Sequence, residues 1–151
     1  MKLYSFFNSS ASFRVRIALA LKGIDYEFVG VDIRSGEQSG ANFLGSVSPS
    51  PLVPVLEDGD LKLSQSMAIL DYLDRVVPSP KLIPDEPRAR ARELEFAHII
   101  ACDTHPLNNL RILKYLKDEL ALDAAAVNAW YQEWIDHGVG AAESILRQEN
   151  K

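Results

Sequence analysis

The chain has 151 residues, 47% of them hydrophobic, and a formal net charge of −5. That apolar content supports a packed core in one large or two small domains, which excludes a disordered tail. The acidic balance argues against nucleic acid, and no apolar run approaches the roughly 18 residues that cross a bilayer.

Met1 to Ser5 lacks the apolar core and cleavage site of a signal peptide. The single cysteine, Cys102, has no internal disulfide partner and points to a reducing, cytoplasmic setting. Leu3 to Phe7 reads as a first strand. Ser9, Ser10 and Ser12 then stand where the chain must turn into a helix, expected from about Ser12 to Lys22 with Gly23 as its left-handed stop. Hydroxyls at a helix start, where amides point outward and the helix dipole is positive, suit an anion or a thiolate. The same cluster also reads as ordinary capping. Val15, Ile17, Ala18, Leu19, Ala20 and Leu21 leave this helix little polar face, so it is expected to be covered on both sides.

Tyr26 to Val31 predicts a second strand, followed by an irregular stretch to Ser50 with one short helix near Ala41 to Leu44. Around Asp58-Gly59-Asp60, the runs ending at Glu57 and starting at Leu61 predict a β-hairpin. Pro54 precedes the first of these strands, and a cis Val53–Pro54 bond would leave the Val53 backbone open to a ligand. Gln65-Ser66 leads into an amphipathic helix with Ser66 as its expected N-cap. The order strand–helix–strand, then strand–strand–helix, fits a thioredoxin-like α/β layer.

Four of the eight prolines lie between Val77 and Pro87. This divides the chain into a thioredoxin-like domain at 1–77, a proline-rich linker at 78–87 and an all-α domain at 88–151. Arg88 to Leu120 reads as one helical stretch kinked at Pro106, and Asp123 caps a last helix carrying Trp130 and Trp134 on one core-facing side. The charges from Arg88 to Glu95 read as a solvated face.

The order of the serine-rich helix start, Val-Pro before a hairpin, Gln-Ser at a second helix start, proline-rich linker and helical half resembles the cytosolic glutathione transferases. Within them, Ser9-Ser10-Ala11-Ser12-Phe13-Arg14-Val15-Arg16-Ile17-Ala18-Leu19 is similar to the Ser-Ser-Cys-x-Trp-Arg-Val-Arg-Ile-Ala-Leu signature of the zeta class, which includes maleylacetoacetate isomerase. His105-Pro106-Leu107-Asn108-Asn109-Leu110-Arg111 is a second block similar to that class. The resemblance implies a glutathione-dependent cis–trans isomerase of a maleyl dicarboxylate, maleylacetoacetate above all, acting in tyrosine catabolism as a cytoplasmic homodimer without a metal. Maleylpyruvate isomerisation and general conjugation are alternatives, and a non-catalytic binding module is the rival from outside enzymes.

The resemblance also assigns residues. Ser9 would stand beside the glutathione sulfur with Ser10 assisting, and Ala11, Ser12, Phe13 and Arg14 would complete that side, Arg14 mainly as a support. Val53 would pair its backbone with the cysteinyl part, Gln65 and Ser66 would hold the γ-glutamyl end, and Gln38 matches a further glutathione position. His105, Asn109, Leu110 and Arg111 match site positions of the helical half, Arg111 being the cation for a substrate carboxylate. Each has a structural reading too: Pro54 as an ordinary proline before a strand, Ser66 as a cap, His105 as a satisfied histidine at a kink. Asn8 and Arg16 read as structural. Two departures stand out: Ala11 replaces the usual cysteine, and the class normally continues for several helices beyond Lys151.

Overall fold

The computed structural model describes residues 1–149, in two compact units, Met1–Ile83 and a second that begins at Pro84. The break falls within the proline-rich segment. In the first unit, β1 (Lys2–Ser5), α1 (Ser10–Leu21) and β2 (Glu27–Gly30) form a parallel β-α-β element. After α2 (Ala41–Ser46), the hairpin β3 (Val55–Asp58) and β4 (Leu61–Ser64) turns at Gly59, whose φ is +61°, and α3 (Ser66–Val76) closes the unit. The sheet order is β2-β1-β3-β4, with β3 antiparallel to both neighbours. This is the thioredoxin-like arrangement expected from the element order.

The two-residue period of a strand explains how both sheet faces are covered. Leu3 and Leu56 face α1 and α3, packing on Val15, Ala18, Leu19, Ile69 and Leu73. Val55 packs on the opposite side with Val31 and Phe43 of α2. Helix α1 departs from the sequence expectation. Ser12, Val15, Ala18 and Leu19 form its buried stripe, but Phe13 (55% exposed) and Leu21 (58%) face outward, so its second apolar side is uncovered among the described residues.

A buried ion pair closes the unit at the far end of these helices. Lys22 Nζ donates to Asp74 Oδ1 at 2.8 Å and to the carbonyls of Val77 at 2.6 Å and Pro80 at 2.8 Å. Asp74 in turn accepts the amides of Leu82 at 2.8 Å and Ile83 at 3.0 Å. The first half of the expected 78–87 linker is therefore bound to the first unit, because its backbone groups satisfy this buried pair. Both Val53–Pro54 and Ser79–Pro80 are cis; the second was not expected from the sequence.

The second unit contains α4 (Pro87–His98), a π-helical turn (Ile99–Thr104), α5 (Leu110–Asp118) and α6 (Ala124–Glu149). The single stretch expected from Arg88 to Leu120 is thus broken, and the break begins before Pro106. The amide of His105 bonds the carbonyl of Ile100, a five-residue spacing, and Thr104 Oγ1 turns back to the carbonyl of Ile99 at 2.9 Å. Thr104 is accommodated because residue 138 of α6 is glycine; any Cβ there would overlap the threonine side chain. Trp130 and Trp134 meet edge to face at 5.6 Å, and Trp130 Nε1 donates to the Leu107 carbonyl at 2.9 Å; both rings are half-buried rather than in the core. Among the described residues, no helix is long and apolar enough to cross a membrane, and no cluster of side chains suits a metal ion.

Burial alone would oppose ionisation of Asp74, but the Lys22 ammonium and the amides of Leu82 and Ile83 together hold its carboxyl below the ordinary value of 3.8. A depressed folded-state pKa contributes stability in full above the unfolded value, and that contribution is lost as pH falls through the folded one. Asp74→Asn should therefore cost about 3–5 kcal/mol at neutral pH by leaving Lys22 buried beside a neutral partner. Urea unfolding should show the gap to wild type closing as the buffer is taken below pH 3.8.

Candidate functional site

The β1–α1 junction is built by the serine cluster. Ser9 has extended backbone, φ −85° and ψ 119°, and is the N-cap of α1. Its Oγ accepts the amide of Ser12 at 3.2 Å, while its own amide bonds the Phe6 carbonyl at 3.1 Å. A serine hydroxyl has one proton and two lone pairs. Accepting from the helix uses a lone pair and leaves the O–H to donate, with no acceptor for it among the described residues. Ser10 and Ala11 follow in the first turn. Ser12 is fully buried and its Oγ has no hydrogen-bond partner, so its visible role is through its amide. Arg16 Nη2 braces the preceding loop through the Phe7 carbonyl at 2.8 Å, the structural role expected of it.

The second helix start differs from expectation. Gln65, not Ser66, is the N-cap of α3, and its side chain makes no capping bond. Its φ of 74° and ψ of 113° are unusual for a residue with a Cβ and cost about 1–3 kcal/mol. Ser66 is the first helical residue, and its Oγ accepts from Arg14 Nη1 at 3.0 Å. Arg14 thus ties α1 to α3, and the Ser66 hydroxyl, like that of Ser9, accepts a bond from inside the protein and keeps its proton for donation. This cross-helix bond was not legible beforehand. The only signal was an arginine beside a serine cluster.

Val53 is half-buried and lies just outside the β3 ladder, leaving its backbone edge beside the cis bond to Pro54. Gln38 sits in a 3₁₀ turn (Glu37–Ser39), its Oε1 buried without a partner. In the second unit, His105 follows the π-helical turn, and Asn109 Nδ2 lies 3.4 Å from its Nε2. Asn109 Oδ1 caps α5 through the Arg111 amide at 3.1 Å. Leu110 is half-buried and the Arg111 side chain is exposed.

The chain with this thioredoxin-like unit matches a known family. Residues 1–75 match the glutathione S-transferase N-terminal domain. A probable maleylacetoacetate isomerase of Vibrio cholerae is 46% identical over 147 residues, covering 96% of this chain and 68% of that protein. The chain belongs to the zeta-class glutathione transferases. Among solved structures, a holo maleylpyruvate isomerase described as a bacterial zeta-class glutathione S-transferase superposes with a TM-score of 0.90 at 43% identity, covering 93% of this chain and 66% of that one. A maleylacetoacetate isomerase from Methylobacterium extorquens with bound malonate and glutathione gives 0.89 at 42%, with the same coverage of 93% and 66%. The zeta-class chain described here therefore spans about two thirds of the length of these relatives.

The strain at Gln65 predicts that its relief stabilises the first unit. Gln65→Gly should raise stability by about 1 kcal/mol, since glycine adopts positive φ without a Cβ penalty. Thermal unfolding measures that gain.

Proposed function

We propose that this chain serves glutathione-dependent cis–trans isomerisation of a maleyl dicarboxylate, with maleylacetoacetate as the substrate and aromatic amino-acid breakdown as the setting. The carrying observation is the matched pair of hydroxyls, Ser9 and Ser66, each accepting a bond from the protein and holding a proton to donate. Glutathione fits this donor set. Its sulfur needs a donor that favours the anion, its γ-glutamyl carboxylate suits the start of α3, and its peptide backbone suits the edge of Val53. The unpartnered Gln38 Oε1 is an acceptor for one of its N–H groups. A thiol of pKa about 8.5 is only a few per cent ionised at neutral pH. When bound, glutathione supplies the thiolate that adds to the activated double bond, lets it rotate as a single bond and departs.

The protein's part is electrostatic. The Ser9 O–H and the positive end of α1 stabilise the sulfur anion, with Ser10 assisting. Ala11, the Ser12 amide and Phe13 shape that side, while Arg14 holds Ser66 for the carboxylate. Gln65 and Ser66 fix the γ-glutamyl end. In the second unit we assign Arg111 to a substrate carboxylate and His105, Asn109 and Leu110 to its surroundings. The wider reading includes a cytoplasmic homodimer. Maleylpyruvate shares the maleyl group and would use the same sulfur chemistry, as would general conjugation. A binding module without chemistry has no use for the retained pair of donors, which sets that alternative behind.

Ser9→Ala should lower kcat by about a hundredfold with glutathione affinity little changed, since its donor acts on developing charge. It should also cost about 1 kcal/mol of stability through the lost cap. Ser66→Ala should instead raise the glutathione KM by about tenfold and spare kcat. Steady-state kinetics with maleylacetoacetate and varied glutathione separates the two; identical patterns would contradict the division of roles.

A further inference from the structure

We propose, on the reading of Ser9 as the sulfur-side donor, that Arg16 is a positioning residue: it holds the β1–α1 junction so that the Ser9 hydroxyl stays aimed at the thiolate. Phe6 to Ser9 make up the whole junction between β1 and α1. The Ser9 amide bonds the Phe6 carbonyl at 3.1 Å, which bends the segment into the helix. Ser9 Oγ accepts the Ser12 amide at 3.2 Å, the long end of the usual range, so the cap alone holds the hydroxyl loosely. Phe7 and Asn8, between these two points, are exposed. A further anchor comes from the helix itself.

Arg16 follows Ser9 by seven positions, about two turns of 3.6 residues, and so lies under it on the same face of α1. Side chains of a helix lean toward its N-terminus, and the arginine stem reaches back along that face. Its Nη2 donates to the Phe7 carbonyl at 2.8 Å, nine residues upstream. Its guanidinium carbon stands 5.3 Å from the centre of the Phe13 ring. Stacking engages the face of a guanidinium and leaves the N–H edge for the carbonyl. One bond at Phe6 leaves the segment free to swivel, and a second at the next carbonyl removes that freedom. Arg16 is half-buried and spends both its ring face and its N–H on this brace, so it acts through Ser9 and not on substrate.

The test reads the ionisation of bound glutathione and needs no turnover. Thiolate absorbance is titrated against pH, with glutathione saturating, in wild type, Arg16→Met, Arg16→Lys, Ser9→Ala and the variant combining Ser9→Ala with Arg16→Met. Arg16→Met keeps an unbranched stem and should raise the midpoint by about 0.5 to 1 pH unit, roughly a threefold to tenfold loss of thiolate preference. Arg16→Lys retains a charged donor without the planar stack and should show a smaller rise. Ser9→Ala should move the midpoint further toward that of the free thiol. Adding Arg16→Met to Ser9→Ala should then change nothing, because the brace acts through the missing hydroxyl. A wild-type midpoint in Arg16→Met overturns the role of Arg16 alone, whatever stability that variant loses. An equal rise in both backgrounds also overturns it, since the guanidinium charge would then act on the sulfur directly. If Ser9→Ala keeps the wild-type midpoint, the sulfur-side reading of Ser9 fails and this proposal with it.

Discussion

The Lys22 ammonium, buried at the end of α1, has three protons and finds three acceptors: the Asp74 carboxylate and the carbonyls of Val77 and Pro80. Removing such a charge from water is costly, and only full hydrogen bonding with an opposite charge offsets it. Asp74 meets the same demand through Lys22 and two amides. This pair locks the C-terminal ends of α1 and α3 together. The Arg14–Ser66 bond joins their N-terminal ends. Two helices tied at both ends cannot slide or splay independently, so their two starts keep a fixed spacing on the sheet. Those starts carry Ser9, Gln65 and Ser66.

The proposed chemistry follows from how hydroxyls are used rather than from how many there are. Serines cluster at the first unit's strand–helix junctions, but Ser5 and Ser12 are fully buried with no partner for Oγ among the described residues. Ser9 and Ser66 are each committed as acceptors within the protein, and that commitment orients the remaining O–H as a donor. Ser10 completes the group at the edge of α1. A donor whose lone pair is already engaged is polarised toward an anion. The cost of holding this arrangement is visible at Gln65, whose positive φ is the one strained non-glycine position among the described residues of the first unit.

Much of the first unit was legible in the amino-acid order, because its signals are local. The serine-rich helix start, the Asp58-Gly59 turn, the hairpin and the zeta-class signature all depend on neighbours within a few residues, although α1 begins at Ser10 and not at Ser12. What escaped depended on distance in sequence. Lys22 and Asp74 meet only when packing brings them together across 52 positions, and the Arg14–Ser66 bond spans the same interval. Ser66 looked like a cap because serine favours that place, but Gln65 takes it in a backbone state that propensity does not anticipate. The π-helical turn was hidden for a related reason: it depends on Thr104 packing at Gly138, a contact from another helix. The apolar second side of α1 shows the limit of periodicity, which marks a face as apolar without saying whether these residues cover it.

The central claim is that this junction stabilises a sulfur anion, and the ionisation of bound glutathione tests it directly. Thiolate absorbance in the ultraviolet, titrated against pH with the chain saturated by glutathione, should give a midpoint about two units below the free thiol value of about 8.5. A midpoint equal to that of free glutathione under saturating conditions would contradict the account, because the Ser9 hydroxyl and the start of α1 would then do nothing for the charge they are assigned to stabilise.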